Sequence, residues 1–272
     1  MPFNLITDLD SQPGASIHDR GLHYGDGLFE TMLLRAGKIR HWQAHYQRLN
    51  ASARRLHIDC PKRDWLEENL RPFFCLNQDL VIKIILTRGS EGRALDIPAK
   101  QKPNVYLLHY PYAVSPKNQC ISAFFSSITL SENSKLAGIK HLNRLDYVMA
   151  AHELGENPNF NEAILCDQQG HVIEGIIHNL FFIVDGRILT PDLTRCGVEG
   201  IARAIILKHI QRDGLKINIG RFTKEQLGEA SECFMCNSVQ GIRPVVQIEN
   251  KALEIGPRTR QLQQSLNATA TD

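Results

Sequence analysis

The chain has 272 residues, a formal net charge of +2, 43% hydrophobic and 22% charged residues, a balance that suits one large or two modest folded domains and excludes extensive disorder. Acidic and basic residues are interspersed, which leaves no sustained positive surface for a nucleic-acid backbone or an anionic membrane, so a small molecule is the expected partner. Met1 to Asp10 lacks a basic stretch followed by a long apolar run, and no apolar segment approaches the roughly eighteen residues of a membrane span, so a cytoplasmic protein is expected.

Gly27 to Arg35, GLFETMLLR, reads as a strand, with Ala36-Gly37-Lys38 as a turn and Ile39 to His41 beginning the return of a hairpin. Trp42, Tyr46, Leu49, Ala53 and Leu56 then recur at steps of three and four and predict an amphipathic helix. A second helix is predicted from Lys62 to Phe74, a strand from Leu80 to Thr87, and another around Val105 to Tyr110 with Pro111 closing it. Two prolines and polar residues in PYAVSPKNQ place a domain boundary there, giving a first domain 1–113, a linker 114–119 and a second domain 120–272. The second half predicts a strand at Cys120 to Phe125, a helix from about Leu142 to Leu154, strands at Ala163 to Cys166 and Val172 to Val184 around a DQQG turn, a helix from Gly200 to Arg212, and two short strands within Cys233 to Gln247. The polar tail Asn267 to Asp272 is expected to fray. The seven cysteines are odd in number and scattered through apolar segments, so they are read as reduced thiols. Cys233 and Cys236 form a C-x-x-C without the second pair of a zinc site, on a segment that reads as a buried strand, and no metal is expected.

Candidate chemistry gathers at a few positions. Lys140 lies in Leu136-Ala-Gly-Ile-Lys-His-Leu-Asn-Arg-Leu145; it either points to solvent or is partly desolvated, which would free a neutral, nucleophilic amine. Glu174, among apolar neighbours after a turn, faces either water or a buried cationic partner such as a protonated pyridine nitrogen. Asn179 either orients that carboxylate or closes a turn. Two segments offer donors to a phosphate: Cys196-Gly-Val-Glu-Gly-Ile-Ala-Arg203, where a glycine-bearing loop enters a helix, and Cys236-Asn-Ser-Val239 with the Ser238 hydroxyl. Arg48 adds either a charge-assisted phosphate contact or a solvated surface charge. A lysine, a carboxylate for a ring nitrogen and donors for one phosphate together match a single cofactor, pyridoxal 5'-phosphate.

The order of these motifs, from Tyr24-Gly-Asp-Gly-Leu-Phe-Glu30 through Arg48-Leu49, Arg88-Gly89, Lys140, Val172-Ile-Glu174, Asn179-Leu-Phe181 and Gly200-Ile201 to Asn237-Ser238, resembles the branched-chain-aminotransferase superfamily, fold type IV of the pyridoxal-phosphate enzymes. The resemblance implies a two-domain α+β/α/β fold with a small N-terminal domain and a larger C-terminal pseudo-barrel, working as a homodimer. It also implies that Lys140 is the Schiff-base lysine, that Glu174 pairs the pyridine nitrogen, and that Arg48, Ser238 and the backbone of Ile201 hold the phosphate. Branched-chain transaminases carry Phe-Glu-Gly and Lys-Ala-Ser-Gly-Asn-Tyr where this chain has Phe29-Glu30-Thr31 and Gly138-Ile-Lys-His-Leu-Asn-Arg144. The latter resembles the superfamily's lyases, which cleave 4-amino-4-deoxychorismate into 4-aminobenzoate and pyruvate in folate biosynthesis. On that resemblance Thr31 stands near the cofactor as a candidate general acid, alongside Lys140 itself, and Arg93 meets a substrate carboxylate. The alternative is a D-amino-acid or branched-chain-type aminotransferase on the same scaffold; Ala94-Leu95 after Arg93, in place of the Asn-His of D-amino-acid transaminases, argues against it.

Overall fold

The computed structural model describes residues 3–9, 14–76, 78–92, 94–113 and 119–268, so residues 114–118 of the expected linker, residues 269–272 of the tail and the candidate Arg93 lie outside the described residues. The chain divides into two units, Met1–Val114 with Lys140–Asn143, and Ser115–Ile139 with Arg144–Asp272.

The first unit runs β1 (Asn4–Thr7), α1 (Arg20–Tyr24), β2 (Gly27–Arg35), β3 (Lys38–Ile39), α2 (Trp42–Arg55), α3 (Arg63–Phe74), β4 (Leu80–Thr87) and β5 (Asn104–Pro111). Its sheet has the order β1-β5-β4-β2-β3, with only the β1–β5 pair parallel. Strand alternation sends Leu28, Met32 and Leu34 of β2, Ile82, Ile84 and Leu86 of β4, and Val105 and Leu107 of β5 into the core, and the stripes Leu49 and Ala53 of α2 and Leu66, Leu70 and Phe73 of α3 are buried as well. Each such Leu, Ile, Val, Met or Phe side chain contributes about 1.5–3 kcal/mol on leaving water. The hairpin turn is tighter than expected: Arg35 already pairs with Lys38, and Ala36 and Gly37 both take positive φ (50° and 73°), the geometry of a two-residue turn that matches strand twist.

The second unit runs β6 (Ile121–Leu130), α4 (Leu145–Gly155), β7 (Glu162–Asp167), β8 (His171–Gly175), β9 (Asn179–Val184), β10 (Arg187–Pro191), α5 (Ile201–Arg212), β11 (Ile217–Gly220), β12 (Phe222–Thr223), α6 (Lys224–Gly228), β13 (Glu232–Asn237), β14 (Gly241–Ile248), β15 (Lys251–Ala252) and α7 (Pro257–Ala268). The main path is β11-β10-β9-β13-β14-β6-β7-β8-β12, and an additional β8–β9 pairing joins its two arms. That pairing closes β9, β13, β14, β6, β7 and β8 into a barrel-like ring. The residues that close it are Glu174 and Asn179. Leu180, Phe182, Cys233, Met235 and Val245 share one core with Ile121, Ile164 and Val172, whereas the intervening Phe181, Ile183, Phe234 and Cys236 pack with Ile206 of α5 and Leu262 of α7. Pro244 is tolerated in β14 because parallel pairing to β6 begins only at Val245, next to a bulge.

This is the small α/β unit and larger pseudo-barrel unit of the expected fold class. Sequence periodicity missed α1, α6 and several short edge strands, whose few residues carry too little pattern, and also the twelve-residue α7, where only Thr259, Leu262 and Leu266 are buried in an otherwise polar segment. The expected strand Val172 to Val184 is two strands, because the chain turns back at 176–178 to pair β8 with β9. The expected helix at Leu142 starts at Leu145, since residues 140–142 are held in extended pairing with β2. Among the described residues no helix is long and apolar enough to cross a membrane.

Candidate active site

Two glycines of the Tyr24-Gly-Asp-Gly motif let the lysine segment approach the first sheet. A Cβ on Gly25, which has φ of 63°, would lie 2.5 Å from Asn143 Oδ1, and one on Gly27 would lie 2.8 Å from Leu142 Cδ1. With that room, Phe29 N–H donates to the Lys140 carbonyl and Leu142 N–H to the Gly27 carbonyl, both at 3.0 Å, and His141 bridges Leu28. Lys140 is thereby fixed against β2. Its Nζ lies 4.3 Å from the centroid of the Phe29 ring, and Lys83 Nζ lies 5.1 Å from the same ring. Strand alternation puts Thr31 on the Phe29 face, opposite Lys83 in the β2–β4 register.

On the other face of β2, Glu30 takes a bidentate pair of bonds from Arg48, Nε to Oε1 at 2.8 Å and Nη2 to Oε2 at 2.6 Å, while His45 Nδ1 stands 2.6 Å from Oε2. Burial would raise the Glu30 pKa, but the Arg48 and His45 interactions outweigh it and hold the carboxyl down at about 2. Burial, against the pull of Glu30, keeps His45 below its ordinary value, so its neutral ring donates through Nδ1 to the carboxylate. Arg48 is thus no solvated surface charge: its side chain is 12% exposed, and its fork is oriented by Glu30.

Arg93 itself is outside the described residues, but its loop is anchored. Arg20 donates to the carbonyls of Ala94 (2.9 Å) and Asp96 (3.1 Å) and to Asp26 (2.9 Å). Arg88 of the Arg-Gly motif also binds Asp26 and the carbonyls of Leu56 and His57, which makes it a staple of the first unit.

In the second unit, Glu174 is 2% exposed, so the reading that faces it to water fails. Its carboxylate accepts Tyr147 O–H at 2.6 Å, Asn179 Nδ2 at 2.9 Å, and Val198 N–H at 3.1 Å to each oxygen. Asn179 also donates to the Val198 carbonyl at 2.9 Å, so it does orient the carboxylate. Gly200 has no room for a side chain, since a Cβ there would lie 2.0 Å from Asn179 Oδ1. It starts α5 without a side-chain cap, so the N–H groups of Ile201 and its neighbours begin the helix at its positive end. Asn179 is in register with Cys236 of β13, and Asn237, whose side chain donates to the Ile177 carbonyl at 3.4 Å, leads into Ser238. Glu174, Asn179, Ile201 and Ser238 are therefore grouped around the barrel's closure. A buried carboxylate held by neutral donors beside an uncapped helix start fits a protonated pyridine ring carrying a phosphate.

Glu30, His45 and Tyr147 were not singled out from the sequence. His45 and Arg48 stand three residues apart on one helix, a spacing that could have flagged them as a pair facing one partner. Nothing local connects Tyr147 to Glu174, twenty-seven residues away. Cys233 and Cys236 fall in different cores, so their thiols point to opposite faces of β13. Burial pushes Cys236 up to about 12 and Cys233 higher still.

The family model for amino-transferase class IV matches residues 27–248, and the chain belongs to that family. Within it, the chain is 33% identical over 268 residues to the aminodeoxychorismate lyase of Vibrio harveyi, covering 94% of this chain and 97% of that one. It is similar to the crystal structure of 4-amino-4-deoxychorismate lyase from Pseudomonas aeruginosa, with a TM-score of 0.89, 37% identity, and coverage of 96% and 97% of the two chains. The D-alanine aminotransferase of Bacillus licheniformis is 29% identical over 263 residues, 94% of this chain and 92% of that one.

Proposed function

We propose that this protein is a pyridoxal-phosphate-dependent lyase that converts 4-amino-4-deoxychorismate to 4-aminobenzoate and pyruvate. The observation that carries the reading is the Lys140 segment: residues 140–142 of the Gly138–Arg144 motif lie extended along β2 and bring the amine to the same Phe29 face that presents Thr31. When bound, the cofactor supplies an electron sink for the substrate carbon that bears nitrogen. Glu174, fixed by Tyr147, Asn179 and Val198, keeps the ring nitrogen protonated. Arg48, the Ile201 N–H and Ser238 hold the phosphate, with Glu30 orienting Arg48. Lys140 would hold the cofactor covalently and, once freed by the substrate amine, would stand as the base for the C4 proton. The C3–O bond breaks as the ring becomes aromatic, and Thr31 or the protonated Lys140 returns a proton to the departing enolpyruvyl group, which leaves as pyruvate. Arg93 pairs a substrate carboxylate. The same reading makes the protein a cytoplasmic homodimer, which light scattering tests.

The test mixes purified protein with enzymatically generated aminodeoxychorismate and follows both products. Equimolar 4-aminobenzoate and pyruvate, lost in Lys140→Ala, are expected. Amino transfer to an α-keto acid without pyruvate release would replace the lyase by a transaminase.

A further inference from the structure

We infer that Tyr147 is a positioning residue that sets, through Glu174, how firmly a bound pyridine ring keeps its nitrogen proton. The inference rests on the function proposed above.

Of the donors to Glu174, the Val198 N–H is backbone and Asn179 is fixed by the strand pairing that closes the barrel. Tyr147 comes from elsewhere, the first turn of α4. Its ring packs against the cluster containing Leu165 and Ile173, and a phenyl group would fill that space equally. The hydroxyl is a separate feature, directed at Glu174 Oε1 at 2.6 Å. A phenol is more acidic than the amide donors beside it, so it withdraws the most charge from the carboxylate. Burial and the adjacent Glu174 charge push the Tyr147 pKa well above its ordinary value, which keeps the group a neutral donor across the working pH range. Arg144 lies over the ring, 4.6 Å from its centroid, and donates to the Ile139 carbonyl at 3.2 Å. The guanidinium over the phenol ring is thereby anchored to the carbonyl of Ile139, the residue that precedes Lys140. Without the hydroxyl, Glu174 becomes a stronger base and draws the shared proton away from the ring nitrogen.

The experiment uses full-length protein loaded with 15N-labelled pyridoxal phosphate. Tyr147→Phe is expected to move the ring-nitrogen resonance toward the unprotonated position. Incorporation of 3-fluorotyrosine at position 147, a stronger donor of nearly the same shape, is expected to move the resonance the opposite way; it serves alone should Tyr147→Phe fail to fold. Unchanged resonances in a folded variant that binds cofactor overturn the inference. Failure of the wild-type protein to bind the cofactor, or binding indifferent to Lys140→Ala, overturns the functional reading on which it stands.

Discussion

Replacing Glu30 by Gln removes the anion that Arg48 and His45 share while nearly preserving shape. Depression of the Glu30 pKa from 4.5 to about 2 corresponds to about 3 kcal/mol of stability at neutral pH, since one unit is worth about 1.4 kcal/mol. The group is buried, so solvent screening takes little from that figure. Because the folded-state value is the lower one, the contribution is complete above the unfolded value of 4.5 and fades as pH falls toward 2; at pH 3 about 1.4 kcal/mol should remain. The lowered His45 pKa adds a loss at mildly acid pH that is larger in the variant, where Glu30 no longer pulls it upward, so the comparison at pH 7, where both rings are neutral, isolates Glu30. Both tryptophans, Trp42 and Trp65, lie in the first unit, which makes urea unfolding followed by tryptophan fluorescence a direct assay of it. The wild type should exceed Glu30→Gln by about 3 kcal/mol at pH 7, with a gap that narrows on acidification. A gap under about 1 kcal/mol at pH 7, or one that stays constant to pH 3, would refute the reasoning.

Gly200→Ala forces a Cβ to within 2.0 Å of Asn179 Oδ1, so it should cost about 1–3 kcal/mol in thermal unfolding and weaken cofactor binding in titration. Asp26 would be raised by burial, but its hydrogen bonds to Arg88 and Arg20 hold it below the usual carboxylate range. Asp26→Asn should therefore destabilise the protein near neutrality and speed amide exchange at residues 88–98, whereas unaltered exchange would show that Arg20 anchors that loop alone. Alkylation of the native protein near pH 8 should mark exposed Cys75 and spare Cys196 and Cys236, whose pKa values are pushed up to about 12 by burial; peptide mass mapping that finds Cys236 modified early would contradict its burial.

Long elements were legible because their burial is periodic. The stripe of α2, the alternation of β2 and β4, and the apolar run of β9 each state locally which face will be covered. Lys140, Glu174 and Asn179 were legible through motif order, although the residues alone left each of them between a solvated and a buried reading. Sequence could not reveal that β8 folds back on β9, that Glu30 orients Arg48, or that Tyr147 donates to Glu174. The second and third contacts join residues eighteen and twenty-seven positions apart, and no local pattern encodes such a meeting.

By itself the amino-acid sequence determined which segments could bury a face and which residue types were on hand for cofactor chemistry, because periodicity and side-chain chemistry are local properties. Only tertiary structure decided that residues 140–142 run extended along β2 instead of joining α4, and that Glu174 is shielded at the closure of the barrel. Those outcomes depend on glycines that admit a second backbone and on pairing between distant strands, where the burial and charge balance of each group is set by neighbours its own segment does not contain.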